Sequence, residues 1–173
     1  MTNVFYLVGL PCTGKTTFRK KVFVNPRFVV ISSDDEIESM AKSLDKTYDD
    51  IFHSVKFNEI YKSLQKKIDD AVLAKKDIVV DMTNLTKNAR NRWNLPTSCK
   101  RYAIVFEKDK NWRNRLDRRN KISTKKIPPE VINTMWGVYD KPFLSEGFNQ
   151  IYTIMELCKD EDFNGWKEII ETL

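Results

Sequence analysis

The chain has 173 residues, 41% of them hydrophobic, with 30 Lys or Arg against 24 Asp or Glu, a single His and a formal net charge of +6. This is one domain's length, residues 1–173, able to bury about 70% of the surface its unfolded form exposes, and the composition fits a globular protein. No 18-residue apolar segment could span a membrane, no leader precedes the first strand, and Cys12, Cys99 and Cys158 are odd in number and scattered. The expectation is a cytoplasmic protein with reduced thiols, not a disulfide or zinc framework.

Val4 to Val8 is a short apolar, β-branched run and predicts a strand. Gly9-Leu10-Pro11-Cys12-Thr13-Gly14-Lys15-Thr16 follows at once, a complete G-x-x-x-x-G-K-[ST] phosphate-binding loop, and a helix is predicted from Thr17 to Val24. Strand, loop and helix in that order are the setting the motif needs. Backbone N–H groups of the loop and the positive end of the helix would cradle a polyphosphate, Lys15 would reach the β- and γ-phosphates of ATP, and the Thr16 hydroxyl would join a Mg²⁺ shell. Cys12 stands where such loops often carry glycine, and places a thiol beside the nucleotide.

Pro26 ends the first helix, and Phe28 to Ile31 reads as a buried second strand, completing a βαβ unit with a right-handed crossover. Ser32-Ser33-Asp34-Asp35 falls at the carboxyl end of that strand, the edge of an open α/β sheet where ligands bind. Ser33 or Asp34 is alternatively the N-cap of a helix through Ile37 and Met40, a role compatible with catalysis. If the chain stays extended there, Asp34 and Asp35 point to opposite sides, so one faces an acceptor and the other caps the helix. From Asp50 to Lys75 the apolar positions Ile51, Val55, Ile60, Tyr61, Leu64, Ile68, Ala71 and Val72 predict one long helix, with His53 a surface residue near its start.

Ile78-Val79-Val80-Asp81 is a third strand ending in an acid, followed by Met82-Thr83-Asn84, and Asp81 is the partner a hydrated Mg²⁺ needs opposite the loop. Tyr102 to Phe106 and Gln150 to Ile154 complete five strands. Between the last two, Trp112 to Lys126 predicts a basic helix with Arg113, Arg115, Arg118 and Arg119 on and near its exposed face, and Pro128-Pro129 starts another through Ile132, Met135 and Tyr139. Residues 112–130 thus suggest a lid presenting arginine to a transferring phosphoryl group, with Trp112 and Trp136 as packing anchors. From Lys87 to Lys126 fourteen Lys or Arg stand against Glu107, Asp109 and Asp117, a positive surface that would attract polyanions.

The succession of Gly9 to Thr17, Asp34-Asp35, Asp81-x-Thr83-Asn84, Arg118-Arg119-Asn120 and Ile127-Pro128 resembles the kinase domain of the polynucleotide 5′-hydroxyl kinases, over nearly the whole chain. Ser145-Glu146-Gly147-Phe148 resembles that family's approach to its last strand. The resemblance implies a three-layer P-loop kinase of adenylate-kinase type, with a parallel sheet in the order 2-3-1-4-5. It also implies transfer of the γ-phosphate of ATP, with Mg²⁺, to 5′-hydroxyl ends of RNA or DNA. Asp34 would be the base, Lys15, Thr16 and Thr17 with the rest of the loop would hold phosphates and metal, and Arg119 would stabilise the phosphates. Thr83, Arg90, Lys126 and Ile127 would line the acceptor site. The bacteriophage member has arginines where this chain has Ser33, Ile37 and Ser123, which leaves acceptor recognition to Lys121, Lys125, Lys126 or Arg90. No D-x-D-G-T motif of an attached phosphatase occurs. A kinase of small-molecule or tRNA-linked acceptors, and a nucleotide-dependent nucleic-acid-binding module, are the alternatives on the same scaffold.

Overall fold

A computed structural model of the chain describes residues 1–123 and 126–173. Its five strands, β1 (Asn3–Val8), β2 (Phe28–Ile31), β3 (Asp77–Asp81), β4 (Lys100–Phe106) and β5 (Gln150–Ile154), pair in parallel in the order β2-β3-β1-β4-β5. That is the order expected from the sequence. Among the described residues the helices are α1 (Lys15–Val22), α2 (Ser33–Ser43), α3 (Tyr48–Ser54), α4 (Phe57–Leu73), α5 (Lys87–Arg90), α6 (Trp112–Ile122), α7 (Pro129–Gly137) and α8 (Asp160–Glu171). No helix among them is long and apolar enough to cross a membrane.

β1 is central because every one of its residues is buried and its side chains serve two cores. Val4, Tyr6 and Val8 face the core built by α2, α3 and α4, while Phe5 and Leu7 face Phe18, Val22, Phe163 and Ile170 of α1 and α8. Helices on both faces of a parallel sheet make three layers. A third, smaller core of Leu10, Leu85, Trp112, Leu116 and Ile132 joins α6 and α7 to the phosphate loop.

Two expectations are corrected, and one helix is added. The stretch predicted as one helix from Asp50 to Lys75 is two, α3 and α4, with Val55 extended between them (ψ 141°). The apolar spacing shows why, since Val55 and Ile60 stand five apart, a slip that a continuous helix would carry off its buried face. Neither Ser33 nor Asp34 caps α2: Ser32 does, its Oγ accepting from the Asp35 N–H at 3.2 Å. α8 was not anticipated, although Phe163, Trp166 and Ile170 recur on one face behind an acidic first turn.

Candidate functional site

The turn after β1 is shaped by its glycines. A side chain at Gly9 would come within 2.7 Å of the Phe106 carbonyl oxygen, and Gly14 has φ 99°, a left-handed backbone only glycine adopts without strain. Cys12 is also left-handed, at φ 63°, which is the physical reason glycine suits that place better. The Gly9 N–H donates to the Thr83 carbonyl at 2.9 Å, and the Asn84 amide donates to the carbonyls of Leu7 and Val80. The loop after β3 is thereby pinned to the mouth of the phosphate loop.

Lys15 opens α1 and is buried. Its Nζ donates to the carbonyls of Gly9 at 2.8 Å and Leu10 at 2.7 Å. Burial lowers its pKa to about 8, against the raising pull of Asp81, Cys12 and Asp34, while the Arg119 charge pushes it the same way as burial. The charges of those four groups thus all act on the lysine although they come from separate parts of the chain. Asp34 is exposed in the first turn of α2, where its Oδ1 accepts from the Tyr48 phenol at 2.8 Å. Asp35 neither caps the helix nor faces the opposite way: it is one helical step on, and its carboxylate pairs with Arg19 of α1. The same guanidinium lies 3.0 Å from Asp81 at the end of β3. Burial raises the Asp81 carboxyl above its ordinary value, while Arg19 and Lys15 pull it back down.

Helix α6 lies across the loop. Trp112 donates from Nε1 to the Pro11 carbonyl at 2.7 Å and Arg115 from Nε to the Cys12 carbonyl at 3.1 Å. The Arg119 guanidinium stands 3.8 Å from the Cys12 Sγ. These three residues are three and four apart and occupy one face, so Arg115 and Arg119 turn inward while Arg113 and Arg118 stay exposed. Trp112 is an anchor as expected, whereas Trp136 is 47% exposed, stacked on Tyr139 with the Lys108 Nζ 3.2 Å from its ring centre.

The residues expected to line an acceptor site divide. Thr83 borders the loop through its carbonyl. Lys126 is exposed, and Ile127 packs beneath α6, its N–H and carbonyl both bonded to the Asn120 amide at 2.9 Å. Lys125 lies outside the described residues. Arg90 is a correction: it is fully buried, its Nε and Nη2 grip Glu146 at 2.8 and 2.7 Å, and its Nη1 donates to the carbonyls of Asn84 and Asp140. Four of the five guanidinium donors are so committed and the group is wholly buried, so it is not presented to an acceptor. Sequence reasoning missed Arg19, Tyr48 and the inward turn of Arg115. The Trp112–Arg115–Arg119 spacing carried a signal for the last, but nothing local marked the other two.

Thr16, exposed in the first turn of α1, and the carboxylate of Asp81 are the oxygens that could hold a divalent cation. The charges of Asp35 and Asp34 both act on Asp81, so a cation there would relieve three neighbouring acids. Among the described residues no three His, Cys, Asp or Glu form a metal cage. A sparse oxygen set completed by water and phosphate suits Mg²⁺, which keeps several waters.

The AAA domain family matches residues 4–142 of the chain. Among solved structures, a candidate kinase from Chloroflexus aurantiacus j-10-fl is similar over 99% of this chain and 94% of its own, with a TM-score of 0.70 at 15% identity. Kti12 of Chaetomium thermophilum, solved with ADP-AlF3, is similar over 98% and 97%, with a TM-score of 0.64 at 15% identity. A chain of the Pnkp1/Rnl/Hen1 RNA repair complex is similar over 79% of this chain and 43% of its own length, with a TM-score of 0.60 at 19% identity. At such identities the likeness is one of fold, and the fold is that of the P-loop kinases.

Proposed function

Because the chain belongs to the AAA domain family, we propose from its site that it is an ATP-dependent, Mg²⁺-assisted phosphotransferase whose acceptor is the 5′-hydroxyl end of a nucleic acid. The observation that carries this is a complete phosphate loop with α6 laid across it, Arg115 bonded to the Cys12 carbonyl and Arg119 3.8 Å from the Cys12 Sγ, and with the charges of Asp34, Asp81 and Arg119 acting on Lys15. Phosphoryl transfer asks a protein for positioning and charge neutralisation, and these groups supply both. Asp34 takes the proton of the acceptor hydroxyl as that oxygen bonds to the γ-phosphorus and the bond to ADP breaks. Lys15 and Arg119 offset charge on the transferring group, and the loop amides hold the remaining phosphates. Mg²⁺, when bound near Thr16 and Asp81, neutralises phosphate oxygens.

A polynucleotide acceptor is supported by the exposed cations Arg113, Arg118, Lys121 and Lys126 in and after α6, and by the similar chain in an RNA repair complex. A second acceptor class has its own supporting observation. Residues 33–50, which carry Asp34, hold seven acids against Lys42 and Lys46, a wall that repels polyanions and tolerates a small neutral alcohol. Transfer of labelled γ-phosphate from ATP to 5′-hydroxyl oligonucleotides of RNA and DNA, beside a panel of sugars and polyols, decides the matter. Labelled oligonucleotide ends are expected. Label on small acceptors alone would replace the nucleic acid with the second class, and tight oligonucleotide binding with no transfer would make the protein a nucleotide-dependent binding module.

A further inference from the structure

We infer that Tyr48 is a positioning residue for Asp34, a role that rests on Asp34 being the base of the transfer reaction. Tyr48 is the first residue of α3, and a capping box fixes that end: the Asp50 N–H donates to Thr47 Oγ1 at 3.2 Å and the Thr47 N–H to the Asp50 carboxylate at 3.1 Å. Its ring stacks on Phe52 one turn later, with centroids 5.8 Å apart and planes at 23°, and packs against the core under α2 and α4. The phenol is therefore held from behind by backbone and by ring contacts before it meets the carboxylate.

Asp34, by contrast, sits exposed on the first turn of α2, where a short side chain is otherwise free to rotate. Among the described residues Tyr48 is the side chain that hydrogen-bonds to it, and it does so at Oδ1, leaving Oδ2 to meet an acceptor hydroxyl. A base delivers its full effect only when it is held within hydrogen-bond reach of the proton it takes, and a rigid donor on one oxygen achieves that for the other. Burial, and then the bond to Asp34, push the Tyr48 phenol above its ordinary ionisation, so it remains a donor across the neutral range. The Arg119 charge acts on both Tyr48 and Lys15, so the phenol lies within the electrostatic reach of the phosphate-loop side of the site. A mere staple between two helices would use the same bond, so the test must separate positioning from stability.

The test is a double-mutant cycle of Tyr48→Phe and Asp34→Asn in the full chain, followed by kcat and KM for ATP and for a 5′-hydroxyl oligonucleotide and for glycerol, together with melting temperature. Tyr48→Phe keeps the ring and its stacking. Positioning predicts a kcat lower by roughly ten- to a hundredfold, the scale of a hydrogen bond to a charged group, with KM for ATP and melting unchanged. It also predicts that Tyr48→Phe has no further effect once Asp34 is Asn, because there is no longer a base to orient. A Tyr48→Phe protein with kcat within twofold of the parent, or losses that multiply in the double variant, overturns the role of Tyr48 while leaving Asp34 in place. An Asp34→Asn protein with unchanged turnover, or absence of transfer to either acceptor by the parent, overturns the base and Tyr48's role together.

Discussion

The two walls of the candidate site are built in opposite ways. On the lid side, Trp112, Arg115 and Arg119 of one helix face all reach the phosphate loop, and Leu10, Leu116 and Ile132 pack beneath them. On the acceptor side, α2 is tied to α1 through the Arg19–Asp35 pair, and the wall of residues 33–50 carries seven acids against two lysines. Under the proposed phosphoryl transfer, the difference matches what each substrate would ask of its wall. A polyphosphate is bound by charge and by backbone amides, so the wall beside it is basic and bonded directly to the loop. A hydroxyl acceptor would need a carboxylate that stays ionised and reachable, and Asp34 stands exposed on an acidic wall whose inner side, Ile37 and Ala41, packs in the core. Phosphates of an acceptor strand would find their cations across the mouth, on the exposed side of α6, rather than beside the base.

The contrast breaks most visibly at the base. Asp34→Asn should lower transfer by about 10²- to 10⁴-fold while ATP binding, a property of the other wall, survives. Turnover and nucleotide titration on the same variant check this, and a parallel loss of ATP affinity would show that the two walls are not separable. Asp35→Asn should act on stability instead, since its carboxylate serves Arg19; if Asp35→Asn abolished transfer and Asp34→Asn did not, the acceptor would lie on the other side of α2.

Next comes Arg90, which belongs to neither wall. Burial pulls the Glu146 carboxyl up, and the Arg90 fork together with the Phe143 N–H and the Lys87 charge outweighs it and holds that carboxyl below its ordinary value. Removing the fork in Arg90→Met strands a buried charge and should cost about 3–5 kcal/mol, read by chemical denaturation. A loss confined to acceptor KM, with stability intact, would return Arg90 to the acceptor site.

Lys15→Met tests the phosphate loop itself and should reduce transfer by at least about a hundredfold, the scale of a lost electrostatic donor. It also carries a pH signature. A lysine lowered from 10.5 to about 8 in the folded chain binds fewer protons there than when unfolded, so the cost of its buried charge is full below pH 8 and fades as pH rises from 8 towards 10.5. Without nucleotide, the parent should therefore gain stability relative to Lys15→Met between pH 7 and 9.5. Melting curves of the two proteins that run parallel over that interval would show that the ammonium is not desolvated.

The smallest effect should come from Ser32→Ala, which removes the cap of the helix that carries the base. A loss of about 1 kcal/mol is the usual scale of such a cap, read by thermal melting. If turnover fell far more than stability, the cap would be shown to aim Asp34 as well as to start α2.

The sequence by itself determined the strands and the phosphate-loop motif between β1 and α1. A strand, a glycine-bounded loop and a helix are contiguous, and their signals are local, so β1 and the loop lie where the residues said, while α1 runs two residues earlier than expected, from Lys15 to Val22. The strand order followed from the resemblance, and the parallel pairing bears it out. What only the tertiary structure decided are the contacts whose partners stand far apart in the chain. Arg90 looked like a free cation until Glu146, 56 residues later, closed on it. Asp35 looked like a cap until Arg19, 16 residues earlier, claimed its carboxylate and Ser32 took the cap. Tyr48 was invisible as a partner of Asp34 because the break between α3 and α4 had to be known before its phenol could be placed. A charged side chain reads the same in a sequence whether it meets solvent, substrate or a buried partner; burial removes the water alternative and so makes the choice, and burial is a property of the packed chain.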